Sequence, residues 1–363
     1  MIPPHLPKPS CNIAAHQRWL GIKIMMIGSA FGLIAGLTGA IIVIGWIWPG
    51  YGGGDTWVVS QNRSTVSSAS LDETTSRDSS DRVFTIYKTT SKINELEYLA
   101  AENKLGEAVV ISSDGWLALA VENKSALTNI VKARALGSDG AVFAVQKTIF
   151  DPYAKILYVK INPVNQAAGG TPATQFRVAI FEETIAPYDQ IFIRENNEWR
   201  QTAVGQKQSD AAAHLDGAPG YSYSVDGRFS AGTVAINSRG RVVGLIDSSG
   251  RLSPSIFVTR IMPSILGQQK ISYPTFGVSG WSSGDATAIV SSSVVSGFAV
   301  DDVWSKKSKL KKGDVIMEIN GQIVRDETLW YNISGKQATV TVWRGTASVD
   351  LIVDILAADA GSL

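Results

Sequence analysis

Phe229-Ser230-Ala231-Gly232-Thr233-Val234-Ala235-Ile236-Asn237-Ser238-Arg239-Gly240-Arg241-Val242-Val243-Gly244-Leu245 is the stretch that decides how this chain of 363 residues folds. Two short apolar runs, 232–236 and 242–246, flank Asn237-Ser238-Arg239-Gly240, residue types that favour a tight turn. The pattern predicts a β-hairpin. The same grammar recurs upstream. Ala108-Val109-Val110-Ile111 and Trp116-Leu117-Ala118-Leu119-Ala120 are joined through Ser112-Ser113-Asp114-Gly115, and Asp-Gly between apolar runs is a strong hairpin signal. Further short runs follow at 83–87, 142–145, 156–159, 178–181 and 190–193. Many short strands separated by turn residues, with few helical patterns, predict an all-β barrel or sandwich.

Outside that region the texture changes twice. Residues 24–48 carry no charge and read IMMIGSAFGLIAGLTGAIIVIGWIW. At about 1.5 Å per residue they span roughly 37 Å, enough to cross a hydrocarbon core of about 30 Å. Lys8, Arg18 and Lys23 precede the run, no acidic residue does, and Trp46 and Trp48 close it. The basic side is expected in the cytoplasm and everything after Trp48 outside it. The competing reading, a cleaved signal peptide, meets a run longer than an ordinary apolar region and no small-x-small cleavage pattern. Gly28, Gly32 and Gly36 form a repeated GxxxG, either a helix-packing face or the ordinary glycine content of a membrane helix. Residues 60–80 (SQNRSTVSSASLDETTSRDSS) show neither helical nor strand periodicity and read as part of a flexible tether.

The chain beyond about residue 270 has its own signature, Leu310-Lys311-Lys312-Gly313-Asp314-Val315-Ile316-Met317-Glu318-Ile319-Asn320-Gly321-Gln322. About 85 residues suffice for a separate module.

Charge and composition narrow the function classes. There are 33 basic and 32 acidic residues, a net charge of +1, which gives no electrostatic case for nucleic acid. The single Cys11 allows no intramolecular disulfide and reads as a plain cytoplasmic thiol. His5 and His16 precede the apolar run, leaving His214 alone beyond it, which argues against a zinc site or a histidine-based centre in the soluble part. No cofactor is implied. His214 lies in Ala211-Ala212-Ala213-His214-Leu215-Asp216-Gly217-Ala218-Pro219-Gly220, which reads as an insertion with a solvent-exposed loop histidine.

Three stretches resemble the trypsin-like serine proteases of the HtrA (DegP) family. Residues 105–117 are similar to that family's "G-S-G-V-I-x-S-x-D-G-x-I", residues 151–161 to "D-P-x-x-D-L-A-V-L-K-I", and residues 229–245 to "G-N-S-G-G-P-L-V-N-x-x-G-x-V-V-G-I". The C-terminal signature resembles the family's PDZ module, "L-x-x-G-D-x-I-x-x-I-N-G". The resemblance implies a mainly β protein, a trypsin-like double β-barrel followed by a PDZ domain, with one N-terminal transmembrane helix. The expected division is a cytoplasmic segment 1–23, a transmembrane helix 24–48, a Ser/Thr-rich linker 49–82, a protease-like body 83–268 and a PDZ domain 271–356.

At the catalytic positions the resemblance yields the wrong chemistry. Glu122 stands for the histidine, Lys155 for the aspartate and Ala231 for the nucleophilic serine. A carboxylate with an ordinary pKa near 4.3 is a poor base for a hydroxyl, and a cation cannot stabilise an imidazolium. Glu122 and Lys155 are expected to pair as a structural salt bridge. Ser230 is the alternative nucleophile, with a Ser230–Lys155 dyad conceivable if the lysine is buried. Counting back from Gly240 favours Ala231 as the aligned position. In the C-terminal module the resemblance places a carboxylate-capturing loop at Phe276, Gly277 and Val278, which takes C-terminal peptide tails by strand addition.

The expected protein is therefore a membrane-anchored pseudoprotease. It would bind C-terminal or unfolded peptide segments outside the cytoplasm, in the periplasm or at the cell surface, and the family implies a homotrimer. Two other readings stay open: an active endopeptidase of the same family with a non-standard site, and a structural subunit of an envelope complex.

Overall fold

The computed structural model describes residues 71–93, 96–124, 129–163, 175–209, 213–282, 288–290, 293–325, 329 and 333–359. The apolar run 24–48, Cys11, His5 and His16 lie outside them. Among the described residues no helix is long and apolar enough to cross a membrane.

The hairpin read from residues 229–245 is present. Strand Val234–Ile236 pairs with Val242–Ile246 in antiparallel register, Ile236 opposite Val242. The Asn237 side-chain oxygen accepts from the amides of Arg239 (3.0 Å) and Arg241 (3.1 Å), which is the local bonding that makes asparagine a turn residue. The Asp114-Gly115 turn likewise joins Lys104–Val110 to Trp116–Ala120, with Gly115 at φ 95°.

Six strands close the first barrel in the order Val83–Tyr87, Lys104–Val110, Trp116–Ala120, Ile156–Pro163, Val142–Asp151 and Arg134–Leu136. Six more close the second: Glu198–Ser209, Tyr221–Val225, Leu252–Pro254, Val242–Ile246, Val234–Ile236 and Gln190–Glu195. Trp116–Ala120 is buried at all five positions rather than alternately. The reason is a second partner on its outer face. Leu117 and Leu119 fill the first barrel with Leu157, Val159 and Ile161. Trp116, Ala118 and Ala120 join a different core, with Ile156, Tyr158, Ile191, Ile193, Val234 and Leu245. Side chains alternate faces along a strand, so a strand between two apolar layers reads as a continuous apolar run.

The C-terminal sheet orders Val278–Ser282, Phe298–Val303, Val315–Ile319, Gln337–Arg344 and Ala347–Asp354, with Gln322–Ile323 hairpinned onto Val315–Ile319. Asn320 and Gly321 make that turn at φ 51° and 75°, the left-handed pair that a two-residue hairpin requires. Asp314 is buried and holds Arg344 through both carboxylate oxygens, at 2.8 and 2.7 Å. The sheet's core of Phe276, Phe298, Ile316, Ile319, Val340 and Val342 is separate from those of the barrels. Strand Ser272–Thr275 instead pairs with Leu356–Asp359, and its Tyr273, with Ala358, belongs to the second-barrel core.

Two helices depart from the sequence reading. Residues 73–80, expected as tether, form the helix Glu73–Ser80. Asp72 caps it by accepting from the Thr75 amide, and Glu73 lies in its first turn where a negative charge suits the helix dipole. The helix is docked: Trp199 Nε1 donates to the Ser76 carbonyl at 3.3 Å, and Ser79 is buried. Helix Ile256–Gln268 packs Phe257, Val258, Ile261 and Ile265 onto the second barrel, despite Pro263 within it. Its β-branched residues mask the helical period.

Candidate functional site

Glu122, Lys155 and Ala231 lie on segments that come together where the barrels join. Glu122 follows strand Trp116–Ala120, and Lys155 precedes Ile156–Pro163, the strand beside it, with Ala120 opposite Ile156. The Lys155 carbonyl accepts from the Val121 amide at 2.9 Å. Lys155 sits at φ 53°, ending a turn in which Asp151 Oδ1 accepts from the amides of Tyr153 (3.0 Å) and Ala154 (3.2 Å). From the second barrel, Gly232, next to Ala231, reaches across. Its carbonyl accepts from the Glu107 amide at 2.6 Å, and a Cβ on Gly232 would come within 3.2 Å of the Ala120 carbonyl.

Glu122, Lys155, Ser230 and Ala231 are all exposed. Among the described residues no ion pair joins Glu122 to Lys155, so the expected salt bridge is not made; both side chains are free to stay hydrated, and an exposed pair gains little. Ser230 Oγ donates to Glu195 Oε1 at 3.4 Å, and the other oxygen of that carboxylate holds Arg200. Lys155 is exposed, whereas a lysine acting as a base is one held away from water. Thr233, where the resembled motif has glycine, is buried and donates to the Ser230 carbonyl at 3.0 Å. Nothing in this loop pairs a hydroxyl nucleophile with an imidazole.

Beneath the loop lies a charge cluster the sequence reading passed over. Glu107, on Lys104–Val110, has no exposed surface, and Arg194, on Gln190–Glu195 of the second barrel, retains 4%. Burial pushes the Glu107 carboxyl up; the Arg194 and Lys104 charges pull it back. Lys104 Nζ reaches Glu107 Oε1 at 3.4 Å, and Arg194 donates to Asn197 Oδ1 at 3.3 Å. Burial lowers Arg194, and Glu107 opposes that shift. One opposite charge from each barrel thus enters their junction.

The second candidate is the loop Phe276, Gly277 and Val278. Gly277 has φ 81°, and a Cβ there would lie 2.4 Å from Ser305 Cβ, so only glycine fits. The Phe276 amide donates to Asp216 Oδ2 at 2.7 Å, the Thr275 hydroxyl bonds Asp216 Oδ1, and the Gly277 amide donates to Thr275 Oγ1 at 2.9 Å. Strand His214–Leu215 pairs antiparallel with Val278–Ser282, His214 opposite Gly280 and Leu215 opposite Ser279. His214 is therefore not the exposed loop residue expected. It is half-buried, its ring edge-on to Phe298 at 5.5 Å, and residues 215–220 are buried. Burial raises the Asp216 carboxyl to about 7 against the loop donors, which lower it. Asp216 carried no signal in sequence, because it sits in a stretch without counterpart in the resembled motifs.

Two closed six-stranded β-barrels packed on each other define the trypsin-like fold class. The particular likeness is to HtrA-type serine proteases. The HtrA-type protease AlgW with decapeptide aligns at TM-score 0.52 and 15% identity, over 78% of this chain and 98% of its own. AlgW with tripeptide aligns at 0.53 and 15%, over 78% and 97%. No family profile and no curated protein match the sequence. At this identity the likeness is one of fold.

Proposed function

We propose that this protein is a membrane-anchored, proteolytically inert HtrA-like scaffold that captures peptide segments of other proteins outside the cytoplasm. One observation carries the reading: the loop at Phe276 holds a carboxylate by a backbone amide, at 2.7 Å, while the neighbouring strand edge carries an added antiparallel strand. Carboxylate capture combined with strand addition is how a PDZ module recognises a C-terminal tail. The peptides in the structures of the HtrA-type neighbours support the same reading. The inert half of the proposal rests on Glu122, Lys155 and Ala231 at the barrel junction, where no side chain can shuttle a proton to a nucleophile.

The anchor is residues 24–48, with the soluble part beyond the membrane. Assembly as a homotrimer follows the resemblance, and sedimentation of the detergent-solubilised chain checks it.

The test is fluorescence polarisation of the full chain with labelled decapeptides bearing a free C-terminal carboxylate or an amide. Binding of the acid, weakened at least tenfold in the amide and lost in Gly277→Val, supports the reading. Equal binding of acid and amide refutes it, as does binding of neither by both the native chain and Asp216→Ala.

A further inference from the structure

We propose that residues 213–217 are a built-in occupant of the carboxylate-capturing loop, so that an outside peptide binds only by displacing them. This rests on the peptide-capture reading above and names its regulation.

The segment reproduces each element of a bound tail. His214 and Leu215 form the added strand on Val278–Ser282, on the edge opposite Phe298–Val303. Asp216 follows directly, and its side-chain carboxyl stands in for a terminal carboxylate on the Phe276 amide. Its own amide donates back to the Val278 carbonyl at 3.4 Å. The Thr275 hydroxyl takes the remaining carboxylate oxygen and in turn accepts from the Gly277 amide. The Phe276 amide is thereby committed to Asp216, and that of Gly277 to the hydroxyl holding it.

Packing fixes the segment in place. Leu215 and Asp216 are buried. Gly217 presses on the backbone of Pro274, where a Cβ would fall 1.6 Å from the Pro274 carbonyl oxygen. The segment leaves strand Glu198–Ser209 and returns into Tyr221–Val225, so it is a connection of the second barrel that has been extended onto the C-terminal sheet. A buried carboxylate is costly unless hydrogen-bonded, and the loop's amide and hydroxyl satisfy it. An incoming terminal carboxylate offers those donors the same chemistry. The exchange therefore trades like bonds for like, and the packing of Leu215 and Gly217 sets its cost. Affinity for an outside peptide falls by the fraction of molecules whose loop is open.

The test combines two measurements on the full chain in detergent. Hydrogen–deuterium exchange followed by mass spectrometry reads protection of the Phe276 and Gly277 amides. Fluorescence polarisation reads binding of a labelled decapeptide with the sequence of residues 207–216 and a free carboxylate. In the native chain the amides are protected; Asp216→Ala releases them and tightens peptide binding by about tenfold or more. Asp216→Asn keeps an oxygen for the Phe276 amide and falls between the two, which covers the case in which Asp216→Ala does not fold. Fast exchange in the native chain overturns the occupancy. Equal binding by native and folded variant chains overturns it too, and leaves peptide capture standing. Protected amides that Asp216→Ala releases, with peptide bound by neither chain, overturn peptide capture and the gate built on it.

Discussion

Replacing Arg194 by methionine isolates the buried charge at the barrel junction. Methionine keeps much of the volume and removes the cation. Glu107 then stays fully buried with Lys104 alone at 3.4 Å. No direct ion pair joins Glu107 to Arg194 among the described residues, so the variant removes a through-space attraction and leaves a buried carboxylate less well compensated, at a cost of about 1–3 kcal/mol. That is an appreciable share of the roughly 5–15 kcal/mol that holds a domain together. Glu107 already lies above its usual value through burial; without Arg194 it rises further, and the fold answers by protonating it. A carboxyl raised in the folded state favours folding at low pH and loses that advantage as pH climbs through the folded value. The deficit of Arg194→Met is therefore smaller at pH 5 than at pH 8. Urea titration followed by tryptophan fluorescence measures it, and the double variant Glu107→Leu with Arg194→Met should recover most of the loss. A single variant within about 0.5 kcal/mol of the native chain, the scale of an ordinary surface change, would refute the reasoning, as would a double variant no better than the single.

Other outcomes follow from the same geometry. Asp216 and Asp151 are raised from 3.8 to about 7 and about 6, chiefly by burial. Stability should therefore fall as pH rises from about 4 to about 7, by on the order of 1.4 kcal/mol for each tenfold rise in a carboxylate's proton affinity on folding; Asp216→Asn and Asp151→Asn should each flatten a thermal-melting profile across that window. Gly277→Val meets both a left-handed φ and Ser305, and should lower the melting temperature of the C-terminal sheet by several degrees in calorimetry. Ala231→Ser should restore no labelling by a fluorophosphonate probe, since Glu122 and Lys155 still offer the new hydroxyl no base.

Much of the fold was legible in the sequence because its turns are chemically explicit. Asp114-Gly115, Asn237 to Gly240 and Asn320-Gly321 each sit between apolar runs, and each is a hairpin in the structure. Fully buried strands such as Trp116–Ala120 also announce themselves, as runs without alternation. Helix Glu73–Ser80 hid for the opposite reason: its polar residues carry no period, and it is held by one cap and by docking against Trp199. The positions of Glu122, Lys155 and Ala231 could be found by motif, yet their mutual relation could not, and the expected ion pair is absent among the described residues. Asp216 was invisible as a ligand. Its meaning lies entirely in a contact with Phe276, sixty residues along the chain, and no local pattern encodes a contact of that range.

Two buried carboxylates of the barrels hold the chain that leads into the C-terminal sheet. Asp216 bonds the loop at Phe276, and Tyr273, buried in the lead-in strand, donates to Asp151 in the turn that carries Lys155. The Tyr273 bond thus ends beside the barrel junction.

Digestion of casein by the purified full-length chain at neutral pH tests the central claim most directly. The account predicts intact casein after prolonged incubation, with no difference between the native chain and Ser230→Ala. Cleavage by the native chain that Ser230→Ala abolishes would contradict it.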